Sequence, residues 1–126
     1  MNLLLDTHVV LWALVQPDRL RDDVRVLITD PAHAVHVSAA TVWEIEIKRA
    51  VGKLSAPDGF AAECADRGFD GLPIDLVHAE RAGRLPPHHS DPFDRMLIAQ
   101  AIEDDLVLVS DDRAFDAYDV RAIAAS

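Results

Sequence analysis

The chain has 126 residues, with 12 Lys and Arg against 22 Asp and Glu, and a formal net charge of −10. Half of it is hydrophobic and 27% charged, the balance of a folded globular protein rather than a disordered one, and the length suits a single domain over residues 1–126. The lone cysteine, Cys64, excludes a disulfide framework, the near-apolar run 9–15 is too short to span a bilayer, and residues 1–6 carry neither a basic leader nor a small-residue cleavage site, so a cytoplasmic protein is expected.

Short apolar runs alternate with amphipathic stretches, the pattern of an α/β domain with a parallel sheet. Leu3-Leu4-Leu5 reads as a buried first strand ending at Asp6, followed by a helix over 7–15 that Gln16-Pro17-Asp18 stops. A second helix is expected over 20–29, ended by Asp30-Pro31, because the residue before proline disfavours helix. Val35-His36-Val37 reads as a strand, and 38–51 as a helix with Gly52 as its stop. Residues 58–67 read as a helix ended by Gly68, Leu72-Pro73-Ile74 as a brief strand, and Asp75 as the cap of a helix toward Gly83. Pro86-Pro87-His88-His89-Ser90 is a polar loop. A helix over 91–103 leads into the strand Leu106-Val107-Leu108-Val109, then a short helix holding Phe115 and Tyr118, then an edge strand over 120–123.

In open α/β sheets, ligands bind beyond the carboxyl ends of the strands. Two of the clearest strands end in carboxylates, at Asp6 and at Asp111-Asp112, and two of the clearest helices carry Glu44 and Asp94 near their starts. A parallel sheet gathers strand ends and the following helix starts on one edge, so Asp6, Glu44, Asp94 and Asp112 are expected to converge. Each also reads as a helix cap: Asp6 and Asp112 as N-caps, Thr41-x-x-Glu44 as a capping box, Asp91-Pro92-x-Asp94 as an N-cap with proline at the first helical position.

Two carboxylates ~5 Å apart repel by about 3 kcal/mol at an effective dielectric near 20, so four together would consume much of a domain's net stability of roughly 5–15 kcal/mol. Such a cluster calls for protonation or for a hard divalent cation. An all-oxygen site with open positions suits Mg²⁺ or Mn²⁺, and the chemistry it implies is metal-assisted attack of water on a phosphodiester. The overall acidity argues against general polyanion binding, which leaves the placement of the acids to decide the matter.

Other residues carry less. His33, His36 and His78 stand apart, and His88-His89 reads as a solvated turn. His8 follows Asp6 closely enough to line the same site, or else sits on a helix surface. Cys64 reads as buried and inert, and Trp12 and Trp43 as core or subunit packing rather than base stacking. With only five glycines there is no phosphate-binding glycine loop, which argues against a P-loop or dinucleotide fold. Arg19, Arg21, Arg25, Lys48, Arg49 and Lys53 are candidates for contact with a nucleic-acid backbone or members of a solvated charged face.

Four segments resemble one family in order and spacing: Leu4-Leu5-Asp6-Thr7-His8; Ser38-x-x-Thr41-x-Trp43-Glu44-Ile45 with Gly52-Lys53-Leu54; Asp91-Pro92-Phe93-Asp94-Arg95-x-Leu97-Ile98-Ala99-Gln100-Ala101; and Leu108-Val109-Ser110-x-Asp112-x-x-Phe115-x-x-Tyr118. They are similar to PIN-domain proteins, and in particular to VapC-type toxins of toxin–antitoxin pairs. The resemblance implies a three-layer α/β/α PIN-like domain with a central parallel sheet of about five strands. It implies an endoribonuclease dependent on Mg²⁺ or Mn²⁺, in which Asp6, Glu44, Asp94 and Asp112 hold metal directly or through water and are catalytic, with Thr7 and Ser110 lining the site. Asp111 competes with Asp112 for the fourth position. Asp112 has the family's spacing to Phe115, and Asp91 is assigned to capping. A homodimer and a cognate antitoxin that pushes a basic side chain toward the acids are also implied.

Two other classes share some of these features. A metal-dependent phosphatase or phospho-acceptor domain also ends its first strand in an acid, but the phosphatase version has a second acid two residues on, where His8 stands here. A non-catalytic acidic module for a basic partner would use the carboxylates only as caps and receptor charges.

Overall fold

A computed structural model describes all residues, Met1–Ser126. Five strands, β1 (Asn2–Leu5), β2 (Ala34–Ser38), β3 (Asp70–Leu72), β4 (Val107–Val109) and β5 (Ala122–Ile123), form one sheet in the order β3-β2-β1-β4-β5. Every neighbouring pair is parallel, with Leu3 beside Val35 on one side and Val107 on the other. Six α-helices connect them: α1 (Thr7–Val15), α2 (Asp22–Thr29), α3 (Ala39–Ala50), α4 (Phe60–Asp66), α5 (Leu76–Arg84) and α6 (Pro92–Glu103). Single 3-10 turns lie at Pro17–Arg19 and Arg113–Ala117.

Strand alternation divides the core in two. Leu3, Leu4 and Leu5 are all fully buried, but Leu3 and Leu5 join the cluster of Val9, Val24, Ile45 and Phe60, whereas Leu4 joins Leu97, Ile98, Leu108 and Phe115 on the opposite face. A strand buried on both faces has no polar side to show, which is why β1 reads as an unbroken leucine run. Helices thus cover both faces, and the expected three-layer α/β/α architecture with five parallel strands is present.

Because the chain runs outward from β1 through β2 to β3 and then returns to the other side of β1 at β4, the topological switch point lies between β1 and β4. There the Asp6 amide donates to the Val109 carbonyl at 3.2 Å. The carboxyl ends of the two strands therefore sit side by side, and the site is built on them.

Several boundaries differ from the sequence reading. The third strand covers Asp70–Leu72 rather than 72–74, since Pro73 has no amide to extend a ladder. The second helix begins at Asp22 because Pro17 nucleates its own 3-10 turn, and Leu20 is extended after it. The fourth helix begins only at Phe60, after Gly59 in the left-handed region (φ 69°), and Gly68 (φ 79°) follows its end as expected. The element holding Phe115 is a 3-10 turn, and the last strand shortens to Ala122–Ile123.

Candidate metal centre

Asp6 ends β1 and begins α1. Its Oδ1 accepts from the Val9 amide at 3.1 Å, so it is the N-cap that the sequence suggested. Its Oδ2 accepts from the Ser110 hydroxyl at the end of β4. The oxygen that caps α1 is thus distinct from the one that meets Ser110. Burial raises the Asp6 pKa above the usual carboxylate range against these two hydrogen bonds.

Ser110 works in both directions, since its Oγ also accepts from the Asp112 amide at 3.0 Å. It thereby ties the ends of the two strands together. Asp112 accepts from the Ala114 amide at 2.9 Å as the cap of the 3-10 turn. Asp111, the competing acid, is engaged elsewhere. It holds the chain end through the amides of Ala125 (2.8 Å) and Ser126 (3.0 Å) and the Ser126 hydroxyl. Burial pushes its pKa up, but the hydrogen bonds from Ser126 and Ala125 outweigh this and hold it below the usual range.

Glu44 does not close a capping box. Ser38 caps α3, accepting from the Ala40 amide at 3.0 Å, and Glu44 lies more than a turn further on. Its buried carboxylate takes the Thr7 hydroxyl on Oε1 at 2.6 Å and the Lys48 ammonium on Oε2 at 2.6 Å. Thr7 and Lys48 thus join α1 to α3 through one acid.

Asp94 stands in the first turn of α6, which Asp91 caps by accepting from the amides of Phe93 (2.8 Å) and Asp94 (3.1 Å). Burial, then the neighbouring Asp91, Glu44 and Asp112 charges, raise the Asp94 pKa to about 6 against the opposing influence of His89.

Asp6, Glu44, Asp94 and Asp112 all line one cavity of about 420 Å³, together with Thr7, His8, Trp12, Lys48, Asp91 and Asp111. The structure therefore brings the four expected acids together. His8 lines the cavity, as one of its two readings had it. Trp12 packs against the core, as expected, and also lines the cavity, with its ring 6.3 Å from His8 and under the Arg19 guanidinium at 4.5 Å. Trp43 is 61% exposed and meets Phe93 edge-on at 5.3 Å, so it is not a core residue.

His89 is the residue the sequence reading missed. It is not a solvated turn. Nε2 lies 2.9 Å from Asp94 Oδ2 and 3.6 Å from Asp112 Oδ2, and the three residues place ligand atoms within 4.8 Å of one another. That nitrogen is buried without a well-formed hydrogen bond. Arg95 puts His89 there, donating to the carbonyls of Ala82 (2.8 Å), Leu85 (2.9 Å), Pro86 (3.1 Å) and His89 (3.2 Å) and so folding the loop back onto α6. The signal was the Asp94-Arg95 pair downstream of two histidines, legible only once Arg95 is known to turn inward. His78, by contrast, is a structural residue: it closes a capping box with Asp75 and meets Asp104 at 3.1 Å. His33 lies beside Asp30, away from the site.

The donor set fits a divalent cation. Carboxylate oxygens converge on one polar cavity, the His89 Nε2 lies between two of them, and burial, with the neighbouring charges, raises the Asp94 pKa to about 6.

The chain is a parallel α/β domain whose acid-lined cavity lies at the switch point of the sheet. The PIN-domain family model matches residues 3–121, so the chain belongs to the PIN-domain family. No curated protein sequence matches it. Among solved structures, it is similar to a VapBC complex from Rickettsia felis bound to a promoter DNA fragment, with TM-score 0.74, 12% identity and full coverage of both chains. DNA-bound VapBC from Salmonella typhimurium aligns with TM-score 0.70 and 18% identity over 98% of this chain and 97% of that one. A member of the VapBC family of toxin–antitoxin systems from Mycobacterium tuberculosis aligns with TM-score 0.60 and 20% identity over 97% of each chain. At these identities the likeness is one of fold.

Proposed function

We propose that this protein is a metal-dependent endoribonuclease and the toxin of a toxin–antitoxin pair, acting in the cytoplasm. The observation that carries the reading is the meeting of Asp6, Glu44, Asp94 and Asp112 in one cavity at the sheet's switch point, in a chain whose family and fold are those of the PIN domain.

Asp6, Glu44, Asp94 and Asp112 would hold a Mg²⁺ or Mn²⁺ ion, directly or through water. When bound, the cation supplies Lewis-acid polarisation of a phosphodiester and lowers the pKa of water. The chain's own residues do the positioning. Ser110 fixes the separation of Asp6 and Asp112, Thr7 fixes the Glu44 rotamer, and Asp91 fixes the first turn that carries Asp94. His89 fills the remaining side of the acid cluster. A cavity lined by acids is also a receptor for a guanidinium, which supports an antitoxin that inserts a basic side chain. A homodimer is supported by Trp43 and Ile47 on α3 and Val51 at its C-cap, which are exposed at four-residue spacing.

RNA cleavage in Mg²⁺ by purified protein tests the reading. Asp6→Asn and Asp94→Asn are each expected to lower the rate by at least 10²-fold with unchanged circular dichroism. Cleavage at the parental rate by either variant would rule it out.

A further inference from the structure

Lys48 is the one Lys or Arg among the eleven residues that line the acid cavity. It sits one turn after Glu44 on α3, and its ammonium lies 2.6 Å from Glu44 Oε2, the only protein oxygen it donates to. An ammonium has three donors, so two remain unassigned. The side chain is 40% exposed, within reach of a molecule entering the cavity, and it feels Asp91 and Asp94 as well as Glu44.

Glu44 accepts from Thr7 on Oε1 and from the Lys48 ammonium on Oε2, so the negative charge it would offer a cation is already offset by a positive one. Two-metal nuclease sites hold ions ~3.5–4 Å apart and need a carboxylate on each side to do so. Here the far side already carries a positive charge on the glutamate that would serve the second ion. Asp6, Asp94 and Asp112 line the same cavity without an ammonium partner, and Asp94 and Asp112 meet His89 instead.

We infer that Lys48 occupies the charge position of a second cation, so that the centre holds a single divalent ion and the Lys48 ammonium, steadied by Glu44, grips a non-bridging oxygen of the bound phosphate. The inference rests on the metal-dependent reading above and deepens it: phosphate is held between an ion on the β1/β4 side and an ammonium on the α3 side. An ordinary i,i+4 ion pair would have neither property.

Two measurements that do not depend on RNA cleavage test it. Bound Mn²⁺ is counted from the electron paramagnetic resonance of the free ion, and affinity for inorganic phosphate is measured by phosphorus-31 line broadening on the Mn²⁺-loaded protein. The wild type is expected to hold one Mn²⁺ per chain. Lys48→Met is expected to take up a second and to bind phosphate at least tenfold more weakly, and Lys48→Arg to hold one ion and recover most of the phosphate affinity. Two ions in the wild type would overturn the inference. So would Lys48→Met with one ion and unchanged phosphate binding. Should these values come out as expected while no RNA is cut, the nuclease reading fails and the role of Lys48 stands. Should RNA be cut by wild-type protein holding two ions, the reverse holds.

Discussion

Asp94 shows what crowding does to one carboxyl group. Its pKa is raised to about 6 in the folded, metal-free protein by burial and by Asp91, against an unfolded value near 3.9. An acid whose folded pKa is raised contributes stability that is complete below the unfolded pKa and is lost as pH rises through the folded one. Metal-free protein is therefore expected to lose stability between about pH 4 and pH 7 through this group. Asp94→Asn is expected to remove that loss, making the metal-free protein more stable at pH 7.5 by on the order of 1–2 kcal/mol in urea unfolding, discounted for partial exposure. The same variant should lose most of the thermal stabilisation that Mn²⁺ confers on the wild type, about 2.7 kcal/mol at an ion concentration 100 times Kd. A variant less stable than the wild type at pH 7.5 without metal would contradict the crowding described here. Asp6 differs from Asp94 in doing two jobs. Asp6→Ala loses the α1 cap, worth ~1 kcal/mol, whereas Asp6→Asn keeps an acceptor for the Val9 amide and so separates site chemistry from helix stability.

The loop between α5 and α6 shows how secondary-structure elements are joined to make the centre. Four carbonyls from Ala82 to His89 converge on the Arg95 guanidinium, and Tyr118 adds a hydrogen bond from the His89 amide at 2.9 Å. Arg95→Met is expected to cost about 2–3 kcal/mol in urea unfolding, because charge-assisted bonds to partly buried carbonyls are lost together. Mn²⁺ affinity, read by calorimetry, should fall at least ~10-fold as His89 and Asp91 lose their positions, the usual effect of removing outer-sphere support. Unchanged Mn²⁺ affinity would show that the loop does not serve the site. Across the cavity, Thr7 couples α1 to α3 through Glu44 in the same way, replacing the capping box that Thr41 and Glu44 suggested.

For the molecule as a whole, one buried strand carries both core and chemistry. Leu4→Ala opens a cavity on the α5/α6 face and is expected to cost roughly 2–5 kcal/mol. The exposed stripe of Trp43, Ile47 and Val51 is a surface property of the folded chain. If it pairs two copies, Trp43→Glu combined with Val51→Glu is expected to sediment as a monomer with its circular dichroism intact. An unchanged sedimentation coefficient would place the dimer contact elsewhere.

Periodicity, proline and glycine positions sufficed for the element order, the parallel sheet and the placement of acids at strand and helix ends, because these follow from interactions within a few residues of one another. Leu3-Leu4-Leu5 had to be a strand buried on both sides, and Asp91-Pro92 had to begin a helix. The roles of Lys48 and His89, the turning of Asp111 toward the chain end, and the engagement of Glu44 by Thr7 came only with the folded chain. Each depends on a contact between groups on different elements or on the direction of one side chain. Parallel crossovers set those relations through space, and no local pattern along the chain records them.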